Sequence, residues 1–585
     1  MCGIAGIQTL DGLSPSKEAL DAMSRALVHR GPDGEGSHVS GGVGLVHRRL
    51  AIIDLETGAQ PLEDADGVVL VANAEIYNHV ELRVELTEAQ FKTNSDCEPI
   101  LPLYRRHGAG FVERLRGMYA IALYDPATGE LTLARDPFGI KPLYYAEVGI
   151  GFVFASEPSA IRASGMIETE QNEERRSELL QLQFTTGRDT VFEGIQRVLP
   201  GETIIVRQGR VIARHRQEAL PGGAPSIFEE RRALDMLDST IADSVMVHQR
   251  ADVPYGMFLS GGVDSAALLS LMAELNDEPV VAYTVGFEGE SSDERKLAAV
   301  LARRLGAKHV PVEVTAQDFL QSLPLAVRAM DDPAADYAIL PTFLLAAAAA
   351  KDVKVVLTGE GGDELLAGYG RYRSALRPTW LGGRAMRTRG VFDGLDVLRS
   401  EGLGWRDGLI AAQSLAAVGG RTRLQIAQAI DCEDWLPNDL LTKVDRCLMA
   451  HGLEGRTPFL DPVVAEAVFR FDDRLKVKRG FGKYIFRRWL EKRLPEAQPF
   501  SKKRGFTVPV ARWIHGSGAR LGAMVARQPG VQEACAPDRV ARMFETEGKR
   551  SGQAAWVLLF YALWHQIHIG GVAAEGDVFE VLDAG

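Results

Sequence analysis

Leu259-Ser260-Gly261-Gly262-Val263-Asp264-Ser265 decides how the second half of this chain folds. Met257, Phe258 and Leu259 form a short apolar run that suits a buried strand, and Leu268, Leu269, Leu271 and Met272 recur as in a buried helix. The stretch between them is predicted to be a strand–loop–helix junction. Gly261 and Gly262 let backbone N–H groups approach a ligand, Ser260 and Ser265 add hydroxyl donors, and the helix directs its positive end to the same place. That combination is an anion cradle, best suited to phosphate. Asp264 is out of place in such a cradle, because its carboxylate repels phosphate unless a divalent cation lies between them. Mg2+ is therefore the expected third party.

Working outward, an amphipathic helix over Phe228–Val247 precedes the cradle, and strands at Val280–Phe287, His309–Val314 and Val353–Thr358 alternate with helices after it. This spacing predicts a parallel sheet covered on both faces, with ligands at the carboxyl ends of its strands. At one such end lies a second glycine-rich loop, Thr358-Gly-Glu-Gly-Gly-Asp-Glu364, which carries Glu360, Asp363 and Glu364. Asp264 and Asp363 can share one Mg2+ there, since hard oxygens from two strand ends plus pyrophosphate oxygens are what that ion accepts. Leu441-Thr-Lys-Val-Asp-Arg446, Glu454-Gly-Arg-Thr-Pro-Phe-Leu-Asp461 and Gly482-Lys483 add polar groups to a helical C-terminal half.

In the first part of the chain, loss of the initiator Met would leave Cys2 with both a thiol and the free α-amino group. Their ordinary pKa values, about 8.5 and about 7.7–8.0, permit proton exchange near neutral pH without a histidine. Strands at Val43–His47, Val68–Ala72, Met118–Tyr124, Leu131–Arg135 and Phe152–Ser156, helices at Ser16–Val28 and Glu98–His107, and a hairpin turning at Gln208-Gly209 predict a mainly antiparallel layered α+β domain. Polar groups cluster at the strand ends: His29-Arg-Gly-Pro-Asp33, Arg49 in His47-Arg-Arg-Leu-Ala-Ile52, Asn73-Ala-Glu-Ile-Tyr-Asn-His79, and Asp96. Gln217 to Ser226 concentrates Pro, Gly and small residues and reads as a linker.

Bulk properties narrow the class. A length of 585 residues calls for two or more domains, and 46% hydrophobic with 25% charged residues is ordinary for a globular protein. The formal charge of −12 argues against nucleic acid as a general partner. The start has no secretory pattern, and the apolar run Ala338–Ala350 is too short for a bilayer, so a cytoplasmic protein without a membrane partner is expected. Five scattered cysteines, Cys2, Cys97, Cys432, Cys447 and Cys535, fit neither a disulfide framework nor a metal site.

The cradle lacks the Gly-Lys-Ser/Thr of a Walker loop and resembles the Ser-Gly-Gly-x-Asp-Ser loop of the PP-loop ATP pyrophosphatases. Cys2 with Arg49, Asn73 and Asp96 resembles the class II glutamine amidotransferase domain of N-terminal-nucleophile hydrolases. The order of all these pieces resembles the glutamine-hydrolysing asparagine synthetases across nearly the whole chain. The resemblance implies an αββα layered domain over 2–215 and a PP-loop α/β domain over 227–570; the composition sets a linker over 216–226 between them, and the tail over 571–585 is expected to be flexible. It further implies that Cys2 is the nucleophile, that Arg49, Ile52, Glu75 and Asp96 hold glutamine, and that Asn73 with the N–H of Ala74 forms the oxyanion hole. On the synthetase side it implies ATP bound by Leu259, Ser260, Gly261, Gly262, Asp264, Ser265, Val285, Thr358 and Gly359, with Mg2+ on Asp264 and Asp363. Glu360 would orient or deprotonate the attacking amine, and Lys483 would stabilise charge on the phosphates. The implied partners are glutamine, ATP and a carboxylate acceptor, aspartate foremost, in a homodimer; a sugar acid or a cell-wall or antibiotic precursor is the alternative acceptor, and a scaffold that kept only the fold is the non-enzymatic one. One departure stands out: Ala74 replaces the usual glycine, which would cost roughly 1 kcal/mol if the backbone there needed a positive φ, and would slow the glutaminase.

Overall fold

The structure is a computed structural model that describes residues 2–168, 170–289, 294–383, 387–400, 404–501 and 508–584. Met1, whose removal is expected, lies outside them.

Two six-stranded antiparallel sheets build the first part of the chain. One runs in the order 196–197, 144–148, 151–155, 3–9, 43–49, 34–40, and the other 210–216, 202–207, 130–135, 117–125, 69–76, 62–63. Their inner faces meet through Ile4, Leu45 and Phe154 on one side and Val71, Ala122 and Leu133 on the other. The helix Lys17–Ala26 covers the outer face of the first sheet through Leu20 and Met23, packed with Ala5, Ile7 and Val46. The helix Ile100–His107 covers the second through Ile100 and Leu103, packed with Ala72, Ala74 and Ile76. This is the αββα arrangement. Gln208 and Gly209 both have positive φ, +47° and +65°, as a two-residue hairpin turn of the I′ type demands.

Strands Gly3–Thr9 and Gly34–Ser40 are absent from the sequence expectation. Gly3–Thr9 is buried on both faces between a sheet and a helix layer, so it shows no alternation, and Gly34–Ser40 is a polar, glycine-containing edge strand.

Between Arg216, which ends a strand, and Glu230, which begins a helix, there is neither helix nor strand. Ile227 then pairs with Phe471 and is buried in the core of the second part. Here five strands, all in parallel pairings, run in the order 308–314, 281–287, 255–258, 355–357, 454–456. Helices Glu230–His248 and Val263–Leu275 pack on one face, and Ala316–Ala329 and Ile339–Ala349 on the other. From the central strand Tyr255–Phe258 the chain first builds toward one edge and then returns to build toward the other. The crevice between Tyr255–Phe258 and Val355–Leu357 is therefore the topological switch point, where ligands of open α/β sheets bind. Both glycine-rich loops leave the sheet at that crevice. The chain end, expected as a flexible tail, forms the helix Val578–Asp583 instead, with its N-cap Asp577 accepting from the N–H groups of Phe579 and Glu580 and with Val578, Val581 and Leu582 buried. Among the described residues no helix is long and apolar enough to cross a membrane.

Two candidate active sites

The first site forms where the strands Gly3–Thr9 and Val69–Ile76 begin and end. The backbone N–H of Cys2 donates to Asn73 Oδ1 at 2.9 Å, while Asn73 Nδ2 is buried and without a partner. A fully buried amide N–H2 costs free energy unless a ligand accepts from it, so Asn73 holds a ready donor next to Cys2. Burial pushes the Cys2 thiol above its ordinary range, so the resting sulfur is protonated and needs a base to react. All five cysteines are free and buried, none lying on the surface.

Ala74 pairs with Tyr119 in the strand Val69–Ile76, and its φ is not positive. Its methyl packs with Ile76 and Cys97 under the helix layer. The backbone cost expected for alanine at this position is therefore absent.

Asp96 is buried and accepts from the Ile76 N–H at 2.8 Å; burial raises its carboxyl above the ordinary range. Arg49 is half-buried and donates from Nη2 to the carbonyls of Ile53, at 3.3 Å, and Asp54, at 2.5 Å. The Asp54 carboxylate in turn accepts from the Asn94 N–H at 2.8 Å, which ties the Arg49 loop to the Asp96 loop. Ile52 is buried and its carbonyl accepts from the Asp252 N–H at 2.9 Å. Glu75 is bound by Arg456 Nη2 at 2.8 Å, a residue 381 positions further along the chain.

The second site lies at the switch point. Ser260 and Ser265 hydroxyls meet at 2.9 Å, Ser265 Oγ accepts from the Ser260 N–H at 3.0 Å, and Ser260 Oγ accepts from the Gly262 N–H at 3.1 Å. These bonds fix the loop before any ligand arrives. The helix Val263–Leu275 starts at Gly262 without a side-chain cap, so its first N–H groups keep their capacity for an anion. Leu259 donates its N–H to Tyr283 O at 2.8 Å, two residues before Val285 on the neighbouring strand. Thr358 donates its N–H to Arg456 O at 2.8 Å. Gly359 approaches so closely that a Cβ there would lie 3.1 Å from Asp264 Cβ.

Lys483, chemically the least distinctive candidate in the sequence, is the hub. Its buried ammonium lies 2.5 Å from Asp264 Oδ2 and 2.8 Å from Asp363 Oδ1. Burial alone would lower its pKa, but Asp264 and Asp363 hold the ammonium above its ordinary range. Lys483 sits in the left-handed region at φ +54°, strain of the kind that concentrates at functional sites, and its N–H is held by Leu366 O at 3.1 Å. A Cβ on Gly368 would lie 1.7 Å from Asp363 Oδ1 and 2.3 Å from Lys483 Cε, so only glycine there lets the two side chains meet. Glu360 Oε2 is buried without a partner. Asp264 and Asp363 thus direct hard oxygens at one cation position, which the ammonium occupies. Among the described residues no three or more His, Cys, Asp or Glu side chains form a group that could hold a metal ion. Two carboxylates fit Mg2+ when phosphate oxygens and waters complete its shell, which is how that ion is usually bound.

Buried charges join the two sites. Arg456 binds Glu454 at 2.6 Å as well as Glu75. Arg30 donates to Cys2 O at 3.2 Å and to both oxygens of Asp445, at 2.7 and 3.0 Å. Arg30, Asp445 and Arg456 stand in the polar motifs of the sequence, but nothing in a motif pairs residues that lie hundreds of positions apart.

A family model described as asparagine synthase matches residues 236–566, and one described as a glutamine amidotransferase domain matches residues 1–216. Asparagine synthetase (glutamine-hydrolyzing) 1 of Bacillus subtilis strain 168 is 31% identical over 620 aligned positions, covering 97% of each chain. Asparagine synthetase (glutamine-hydrolyzing) 2 of the same organism is 31% identical, covering 84% of this chain and 70% of its own. Amidase chyE of Penicillium rubens is 32% identical, covering 64% of this chain and 60% of its own.

Proposed function

The chain belongs to the asparagine synthase family of glutamine-hydrolysing ligases, and from that premise we propose that it converts aspartate, glutamine and ATP into asparagine, glutamate, AMP and pyrophosphate. Cys2 Sγ attacks the glutamine amide carbon after giving its proton to the α-amino group that loss of Met1 exposes. Asn73 Nδ2 and the Ala74 N–H receive the tetrahedral oxyanion; such fixed donors act only on charge that develops in the transition state. Ammonia departs and water releases glutamate from the thioester. Arg49 holds the glutamine carboxylate, Asp96 and Glu75 its ammonium, and Ile52 the chain between them.

At the switch point Leu259, Val285, Thr358 and Gly359 hold adenosine, while Ser260, Gly261, Gly262 and Ser265 hold the phosphates. The acceptor carboxylate attacks the α-phosphorus and pyrophosphate leaves. Glu360 then takes a proton from the ammonia that attacks the acyl-adenylate, and AMP departs. Lys483 moves with the negative charge on the leaving pyrophosphate. Mg2+, held by Asp264 and Asp363, would neutralise phosphate charge. Ammonia released into water becomes ammonium, which is no nucleophile, so an apolar passage between the sites is a physical requirement.

The observation that carries this reading is the convergence of both glycine-rich loops on Lys483, with Glu360 of the second loop holding a buried oxygen without a hydrogen-bond partner. Its test is pyrophosphate release with ATP and glutamine across a panel of aspartate, sugar acids and peptide carboxylates. Aspartate is expected to give the highest kcat/KM; release with another acid and none with aspartate would transfer the same chemistry to that acid.

A further inference from the structure

Beside Glu360 lies a cluster that the chemistry above leaves unused. Asp431–Leu441 winds as a π-helix and continues into the α-helix Thr442–Met449; such windings are rare and occur often at functional sites. Asp439 and Lys443 stand about one turn apart across that junction, both buried. Trp435 Nε1 donates to Asp439 Oδ2 at 2.7 Å, but Asp439 Oδ1 is buried and has no partner. Lys443 Nζ donates to Asp336 Oδ2 at 3.2 Å, and Asp336, Glu360 and Asp439 are the carboxylates that act on its charge. Arg371 stacks on Trp435, 4.1 Å from the ring centre, and on Tyr369, 4.5 Å away, and these rings flank the same helix junction.

The cluster therefore sets three carboxylates against the Lys443 ammonium and the Arg387 guanidinium, which acts on Asp439, and two of the carboxylates keep a buried oxygen without a hydrogen-bond partner. A ligand that brings its own cation corrects that imbalance, and a ligand carboxylate can share the Lys443 ammonium. We propose that Asp439 and Asp336 bind the α-ammonium, and Lys443 the α-carboxylate, of an α-amino dicarboxylic acid acceptor whose side-chain carboxylate is the one activated beside Glu360. This rests on the asparagine-forming reading and gives it a specificity site.

The test compares full-length protein with its Asp439→Asn, Asp336→Asn and Lys443→Met variants. Pyrophosphate release is measured with aspartate, succinate, which lacks the ammonium, and β-alanine, which lacks the α-carboxylate. Losing one charge-assisted hydrogen bond should raise the KM for aspartate about tenfold or more in each variant. The KM for ATP and the rate of glutamine hydrolysis should stay at wild-type values. The preference for aspartate over succinate should fall in the Asp439 and Asp336 variants, and the preference over β-alanine in the Lys443 variant. An unchanged KM for aspartate, or equal losses on all three acids, overturns the assignment. Should Asp439→Asn fail to fold, Asp336→Asn at the less buried edge decides on the same ratios. Wild-type protein that releases pyrophosphate with some other acid but not with aspartate overturns the asparagine-forming reading itself, whereas an active wild type with unaltered variants overturns only the specificity site.

Discussion

Cys2→Ala is expected to abolish glutamine-dependent amidation, by about a thousandfold or more, while amidation supplied with ammonium salt at pH 8 keeps its wild-type rate. In the proposed mechanism the thiol accepts the glutamine carbonyl carbon, and the alanine methyl offers no nucleophile in its place. The substitution leaves the backbone bonds in place: the N–H at position 2 still donates to Asn73 and the carbonyl still accepts from Arg30. The link from Arg30 to Asp445 therefore survives, and the synthetase site is undisturbed. The check is amide product formed per minute with each nitrogen source. Equal loss with both would mean that Cys2 serves the synthetase chemistry directly.

Lys483→Met should remove amidation with either nitrogen source, again by about a thousandfold, and leave glutamine hydrolysis within about twofold of wild type. Methionine keeps the volume and removes the charge. Asp264 and Asp363 would then lose the ammonium that bridges them, and like charges at that distance disfavour each other's ionisation. Lys483→Arg should not rescue, because the space beside Lys483 Cε is closed by Gly368. The two activities are read in parallel on one preparation; an active Lys483→Met protein would reduce Lys483 to a structural counter-ion.

The cradle was legible because its message is local. Two apolar runs on either side of two glycines predict a strand, a loop and a helix, and the chain has them at Tyr255–Phe258 and Val263–Leu275. That the loops face each other was not local: it follows from the pairing of Tyr255–Phe258 with Val355–Leu357, strands far apart in sequence. The role of Lys483 as a bridge was less legible still, since it depends on a left-handed backbone and on the missing Cβ of Gly368. Arg456 sits in a strand of three residues, too short for any periodicity to announce, yet that strand carries the contact to Glu75. At Ala74 the sequence misled in the other direction. A glycine was expected there for its conformation, and the chain is simply extended.

The central claim is that nitrogen set free at Cys2 is consumed beside Glu360 without passing through water. Its most direct test supplies the wild-type protein with aspartate, ATP, glutamine labelled with 15N at the amide, and a tenfold excess of unlabelled ammonium ion, and then measures 15N in the product amide. Passage inside the protein predicts that most of the product carries the label. Label diluted to the proportion in bulk solution would contradict it.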